Sequence, residues 1–132
     1  VITIRIIPKH LIEENWPQIK AWVKSSLGQD KSYTPDDVKK ACEESLILIL
    51  IYKELQLKGF LVLSISQAPQ GRVAYAPWLG GEDLGEWVQS VFEQLKRWLK
   101  EQGCIQYSWV GRKAWQKLVR ADSEQCFYSL SL

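Results

Sequence analysis

Pro77-Trp78-Leu79-Gly80-Gly81-Glu82-Asp83-Leu84-Gly85 is the stretch whose reading decides the fold. It lies between an apolar run, Arg72 to Trp78, and the strongest amphipathic pattern in the chain, Glu82 to Gln102. The run before it predicts a strand, and its glycines predict a loop. In the segment after it, Leu84, Trp87, Val88, Val91, Phe92, Leu95, Trp98 and Leu99 recur at helical spacing and form one wide apolar stripe. Gly103 is placed to end that helix. A strand, a glycine-bearing loop and a helix in that order are how α/β proteins hold a phosphate on backbone N–H groups. Glu82 and Asp83, however, stand where the phosphate would sit. Each such carboxylate costs on the order of 1 kcal/mol in a solvated setting. The same two acids also stabilise a helix start that binds no anion.

Working outward, Ile2, Ile4 and Ile6 alternate with Thr3 and Arg5, which predicts a strand over 1–7 ended by Pro8. Ile12, Trp16, Ile19, Trp22, Val23 and Leu27 predict a helix over 10–27, kinked or split near Asn15-Trp16 by Pro17. Thr34-Pro35-Asp36-Asp37 opens a second helix running to about Glu44, with Thr34 as its cap. Leu46 to Tyr52 is a continuous β-prone run suited to a central strand. Gly59 to Ser66 is its expected hairpin partner. Beyond the long helix, Cys104 to Val110 predicts a strand, Arg112 to Arg120 a short helix, and Cys126 to Leu132 a last strand. The expected architecture is one α/β domain over 1–132, a mixed sheet in the order β-α-α-β-β-β-α-β-α-β with helices on both faces.

Composition narrows the function. The 132 residues are 46% hydrophobic, enough for a core, and the formal charge is only +2. That balance does not point to nucleic acid or an anionic membrane. Basic residues on two helical faces, Lys96, Arg97 and Lys100, then Arg112, Lys113, Lys117 and Arg120, read as solvated surface. No apolar run has transmembrane length, and the start carries no secretory pattern. Cys42, Cys104 and Cys126 are widely spaced and read as buried free thiols of a reducing compartment, and His10 is the only histidine. No metal site follows.

The element order, with the loop at Trp78 to Gly85, resembles the GNAT superfamily of acetyl-CoA-dependent N-acetyltransferases. The resemblance covers nearly the whole chain, short of that family's final hairpin. It implies a GNAT fold and a cofactor diphosphate held by the loop that opens the long helix. Leu79, Gly80, Gly81 and Gly85 are then the candidate cofactor-binding residues. The family's loop motif, Gln/Arg-x-x-Gly-x-Gly/Ala, is not reproduced. A second motif supplies a Tyr as general acid. Aligned on Ala114, this chain has Gly111 at the Asn position, Leu118 at the Tyr position and Asp122 at the Gly position. Leucine donates no proton. Tyr107, on the adjacent strand, is read as a sheet aromatic, and the strands at 46–52 and 59–66 carry no acid to act as base. No catalytic residue is assigned.

Gly103 to Trp115, together with Trp78-Leu79-Gly80-Gly81 and Trp87, is similar to small GNAT-like proteins of bacteriophages, some of them virion components. That likeness implies a non-catalytic assembly protein of a virion or host cytoplasm that uses no cofactor. Its partners would be virion proteins or further copies of itself. Seven tryptophans fit such a role. Trp78, Trp109, Arg112 and Trp115 are the candidate interface residues, expected at the edge formed by the strands' carboxyl ends. The alternative is an N-acetyltransferase using acetyl-CoA through a degenerate loop.

Overall fold

A computed structural model describes residues 1–28, 31–110, 123–124 and 127–131. Their elements run β1 (Ile2–Ile7), a 3-10 turn (Lys9–Leu11), α1 (Ile12–Leu27), α2 (Pro35–Glu44), β2 (Ile47–Lys53), β3 (Gln56–Ala68), β4 (Gly71–Gly81), α3 (Leu84–Glu101), β5 (Cys104–Val110), β6 (Ser123–Glu124) and β7 (Phe127–Ser131). The described strands form one sheet in the order β1-β2-β3-β4-β5-β7-β6. All neighbours pair antiparallel except β4 and β5, which are parallel and joined through α3. The expected mixed sheet with helices on both faces is what the chain forms.

The β2 run is buried because both of its faces are covered. Ile49 and Ile51 pack under α3 with Leu61, Leu63, Val91 and Leu95. Leu48 and Leu50 pack under α1 and α2 with Ile19, Val23, Val38 and Cys42. The two cores lie on opposite sides of one sheet, so a continuous apolar strand satisfies both. No helix among the described residues is long and apolar enough to cross a membrane.

Several expectations shift. The helix at 10–27 is not split: a 3-10 turn leads into α1, and Pro17 sits inside it. Of the two tryptophans on its apolar face, Trp16 is 4% exposed and Trp22 only partly buried. The β2–β3 connection is tighter than 53–58. It is the two residues Glu54 and Leu55, and Glu54 takes a positive φ of 57°. The last strand begins after a two-residue partner strand, β6. The short helix expected at Arg112 to Arg120 lies outside the described residues.

α2 starts as its sequence dictates. Thr34 Oγ1 accepts from the Asp37 N–H at 3.2 Å, and Asp37 Oδ2 accepts from the Thr34 N–H at 2.9 Å. These two bonds complete a capping box, with Pro35 in the first turn. They also hold the Asp37 carboxyl below its usual range. Thr34→Ala is expected to lower stability by about 1 kcal/mol, read as a drop of a few degrees in thermal unfolding. An unchanged midpoint would show that the cap adds nothing to the fold.

Candidate functional site

The largest departure from the sequence reading falls on the deciding stretch. β4 does not end at Trp78 but runs on to Gly81, paired with β3 all the way: Val62 with Trp78, Leu61 with Leu79, Phe60 with Gly80, Gly59 with Gly81. The loop therefore shrinks to Glu82 and Asp83, and α3 opens at Leu84 instead of Glu82. Pro77 and the glycines are turn signals to a local reading. Here Pro77 sits at a bulge and the glycines allow close backbone approach. From the pair Ser64–Tyr75 to the pair Val62–Trp78, β3 advances two residues and β4 three, so β4 carries one extra residue at Ala76–Pro77.

On its other side β4 pairs with β5 only from Arg72 to Ala76, the last match being Ala76 with Trp109. Past that pair β4 runs on through Pro77 to Gly81, whereas β5 ends at Val110. Among the described residues, then, β4 has no strand partner on that side past Ala76; this fork lies at the strands' carboxyl ends, where open α/β sheets take their ligands. Strand alternation fixes which groups face it. The Glu82 N–H donates to the Lys58 carbonyl at 2.9 Å, so residues 82, 80 and 78 turn their peptide groups toward β3. Leu79 and Gly81 therefore turn theirs away from β3, into the fork. Of the four candidate cofactor residues, Leu79 and Gly81 lend backbone groups to the fork. Gly80 backs onto β3, and Gly85 lies in the exposed first turn of α3.

The junction between β4 and α3 is held from β3. Lys58 is 9% exposed, and its Nζ lies 3.0 Å from Asp83 Oδ2. That bond holds the Lys58 ammonium above the ordinary lysine range, against the opposing effect of burial. Lys53 Nζ lies 3.0 Å from Glu86 Oε2 on the next turn. Trp87, 1% exposed, donates its indole N–H to the Glu82 carbonyl at 2.8 Å. Two of the three acids around this helix start, Asp83 and Glu86, thus have lysine partners. The sequence reading missed both lysines. Lys58 sits just ahead of an apolar strand, and only the β3–β4 register brings it to Asp83.

The aromatic residues do not gather as expected. Trp78 lies on the α1 side of the sheet, packed against that core and edge-on to Tyr33, with ring centroids 5.2 Å apart. Trp109 lies on the α3 side, fully buried, 4.9 Å from the Phe92 ring. The extra residue of the β4 bulge puts the two on opposite faces, so they do not form the joint patch expected, and Trp109 is a core residue. Arg112 and Trp115 lie outside the described residues, as do Gly111, Ala114, Leu118 and Asp122. Tyr107 is fully buried, and burial pushes its hydroxyl well above the usual tyrosine range. It packs on Phe92 at 5.4 Å, the sheet aromatic it was read to be. Cys42 and Cys104 are buried and unpaired, and burial raises the Cys42 thiol to about 12, so it is an inert packing group.

No family model matches the sequence, and no curated protein matches it. Solved structures do. A putative acetyltransferase of the GNAT family from Desulfovibrio desulfuricans is similar over 99% of this chain and 99% of its own, with TM-score 0.69 and 9% identity. An aminoglycoside acetyltransferase from an uncultured soil metagenomic sample, in complex with sisomicin, is similar over 94% of this chain and 90% of its own, with TM-score 0.67 and 9% identity. A GNAT family acetyltransferase from Brucella melitensis, in complex with acetyl-CoA, is similar over 100% and 88%, with TM-score 0.62 and 11% identity. With a bulged β4, a fork beside it and α3 leading to a parallel β5, the chain has the fold of the GNAT acetyltransferases.

Proposed function

We propose that this chain binds an acyl-CoA in the β4–β5 fork and passes the acyl group to an amine. The observation that carries the reading is the fork itself. β4 stays paired with β3 through Gly81 and turns the Leu79 and Gly81 peptide groups to its other side, where its described pairing with β5 ends at Ala76. Such a strand edge pairs with an extended, amide-bearing arm as it would with another strand. Bound there, the cofactor would supply an acyl group already activated as a thioester.

The residues at the helix start fit the cofactor better than the sequence suggested. Glu82 and Asp83 argued against a diphosphate at the start of α3. With Asp83 on Lys58 and Glu86 on Lys53, the local charge is largely balanced. Leu79 and Gly81 would hold the arm, and the first turn of α3 would face the phosphates. β2, β3, β4 and β5 carry no Asp or Glu. On this reading β2 to β5 offer no carboxylate to take a proton from the amine, and the amine arrives neutral. Activity would then rise with pH toward the amine's own pKa.

The non-catalytic virion role expected from the phage likeness has no support among the similar structures, which are GNAT acetyltransferases. One feature still favours it: Tyr107 is sealed in the core and cannot act as a surface acid. Calorimetric titration with acetyl-CoA separates the two readings. Saturable binding in the micromolar range, competed by free CoA, is the expected result. No heat at millimolar cofactor would end the acyltransferase reading and leave protein contacts as the function.

A further inference from the structure

We propose that Lys58 is a positioning residue that holds the Asp83 carboxylate off the first turn of α3 and so keeps that turn open to the cofactor's phosphate groups. The inference rests on the acyl-CoA reading above and adds to it the device that makes an acidic helix start compatible with an anion.

Asp83 stands at the N-cap of α3, and aspartate is among the best capping residues because its carboxylate accepts from first-turn N–H groups. Here it makes no such bond. The same protein caps α2 fully through Thr34 and Asp37, so the difference is local. Two features explain it. Asp83 takes a left-handed backbone, φ 55° and ψ 45°, in place of the extended conformation of a capping residue. Its carboxylate is bonded at 3.0 Å to Lys58, whose side chain is only 11% exposed. Lys58 also grips the junction through its carbonyl, which accepts from Glu82 N–H. One residue of β3 thus holds the backbone on one side of Asp83 and its side chain on the other. Without the ammonium, the Asp83 backbone can relax toward the extended capping conformation and its carboxylate can turn back to cap the helix. A negative charge would then fill the anion's place and occupy its donors.

The test compares the full chain with Lys58→Met, Asp83→Gly and the double variant, each titrated with acetyl-CoA by calorimetry. Asp83→Gly removes the same ion pair while suiting the left-handed backbone, so it separates the two roles Lys58 could play. Expected results are binding at least tenfold weaker in Lys58→Met, and binding within threefold of wild type, or tighter, in Asp83→Gly and in the double variant. If Lys58→Met binds like wild type, or if Asp83→Gly is weakened as much as Lys58→Met, the ion pair is an ordinary brace and the proposal is overturned.

A second readout needs no cofactor. Amide exchange at Gly85 should slow in Lys58→Met, as the freed carboxylate caps it, and should not slow in the double variant; the Glu86 N–H already donates to the Asp83 carbonyl at 2.9 Å and serves as the internal reference. Unchanged exchange in Lys58→Met would overturn the proposal on its own. Failure of wild type to bind acetyl-CoA would instead remove the acyl-CoA reading, while the exchange result still decides what Lys58 does to Asp83.

Discussion

Trp87→Ala is expected to cost about 3–5 kcal/mol, a large share of a domain's stability of roughly 5–15 kcal/mol. The ring is 1% exposed in the core beneath α3, packed with Val88, Val91 and residues of β2 to β5. It lies flat enough over Gly59 that a Cβ there would come within 2.6 Å of its edge. Its indole N–H also satisfies the Glu82 carbonyl, just ahead of the Asp83 N-cap. Trp87→Phe separates the two contributions. It keeps most of the ring and orphans the carbonyl, for a cost of about 1–3 kcal/mol. Urea unfolding followed by far-UV circular dichroism would measure both. A loss below about 1 kcal/mol in Trp87→Ala would mean the ring does not bind α3 to the sheet.

What the sequence made legible follows physical range. The α2 start could be read because a capping box is settled within four residues, Thr34 to Asp37. The α3 stripe and the β2 run could be read because each pattern is long enough to fix its own burial. Trp16 and Trp22 could not be ranked that way. Both fall on the apolar side of α1, and which goes deeper depends on how α1 crosses the sheet. The deciding stretch misled for a related reason. Pro77, Gly80 and Gly81 have the same turn-forming chemistry in a loop as at a bulge, and only a partner strand tells the two apart.

The site was legible to about the same depth. A glycine-bearing segment entering the long helix at the fork could be found from residues alone, as could the acids at its start. Their neutralisation could not. Lys58 and Asp83 lie 25 residues apart, and Lys53 and Glu86 lie 33 apart. The first pair depends on the β3–β4 register, and the second, made from the end of β2, on the β2–β3 register as well. Trp78 and Trp109 show the same limit: sharing an edge is a property of topology, whereas sharing a face depends on the parity of each strand, and the extra residue at Ala76–Pro77 changes that parity for β4.

Gly81→Ala is expected to destabilise the protein by about 2–6 kcal/mol, combining backbone strain with steric overlap. Gly81 has φ +143°, a conformation that L residues rarely adopt. A Cβ there would strike the Lys58 carbonyl oxygen and come within 2.5 Å of the Gly59 Cα. Both obstacles are backbone, so the only relief is to move β3 from β4. That movement would weaken the hydrogen bond from the Glu82 N–H to the Lys58 carbonyl and shift the Gly81 peptide in the fork. Acetyl-CoA binding should therefore fall together with stability. Gly80→Ala is the matched control one residue away. Its Cβ would meet the Phe60 ring edge at 3.2 Å, and a ring can give where a backbone cannot. Its peptide also faces β3 instead of the fork, so binding should hold and the cost should stay near 1 kcal/mol, at the low end for overpacking. If Gly81→Ala unfolds at the same denaturant concentration as wild type and binds cofactor equally well, β4 does not reach the fork in the register described, and the site has to be sought elsewhere on the sheet.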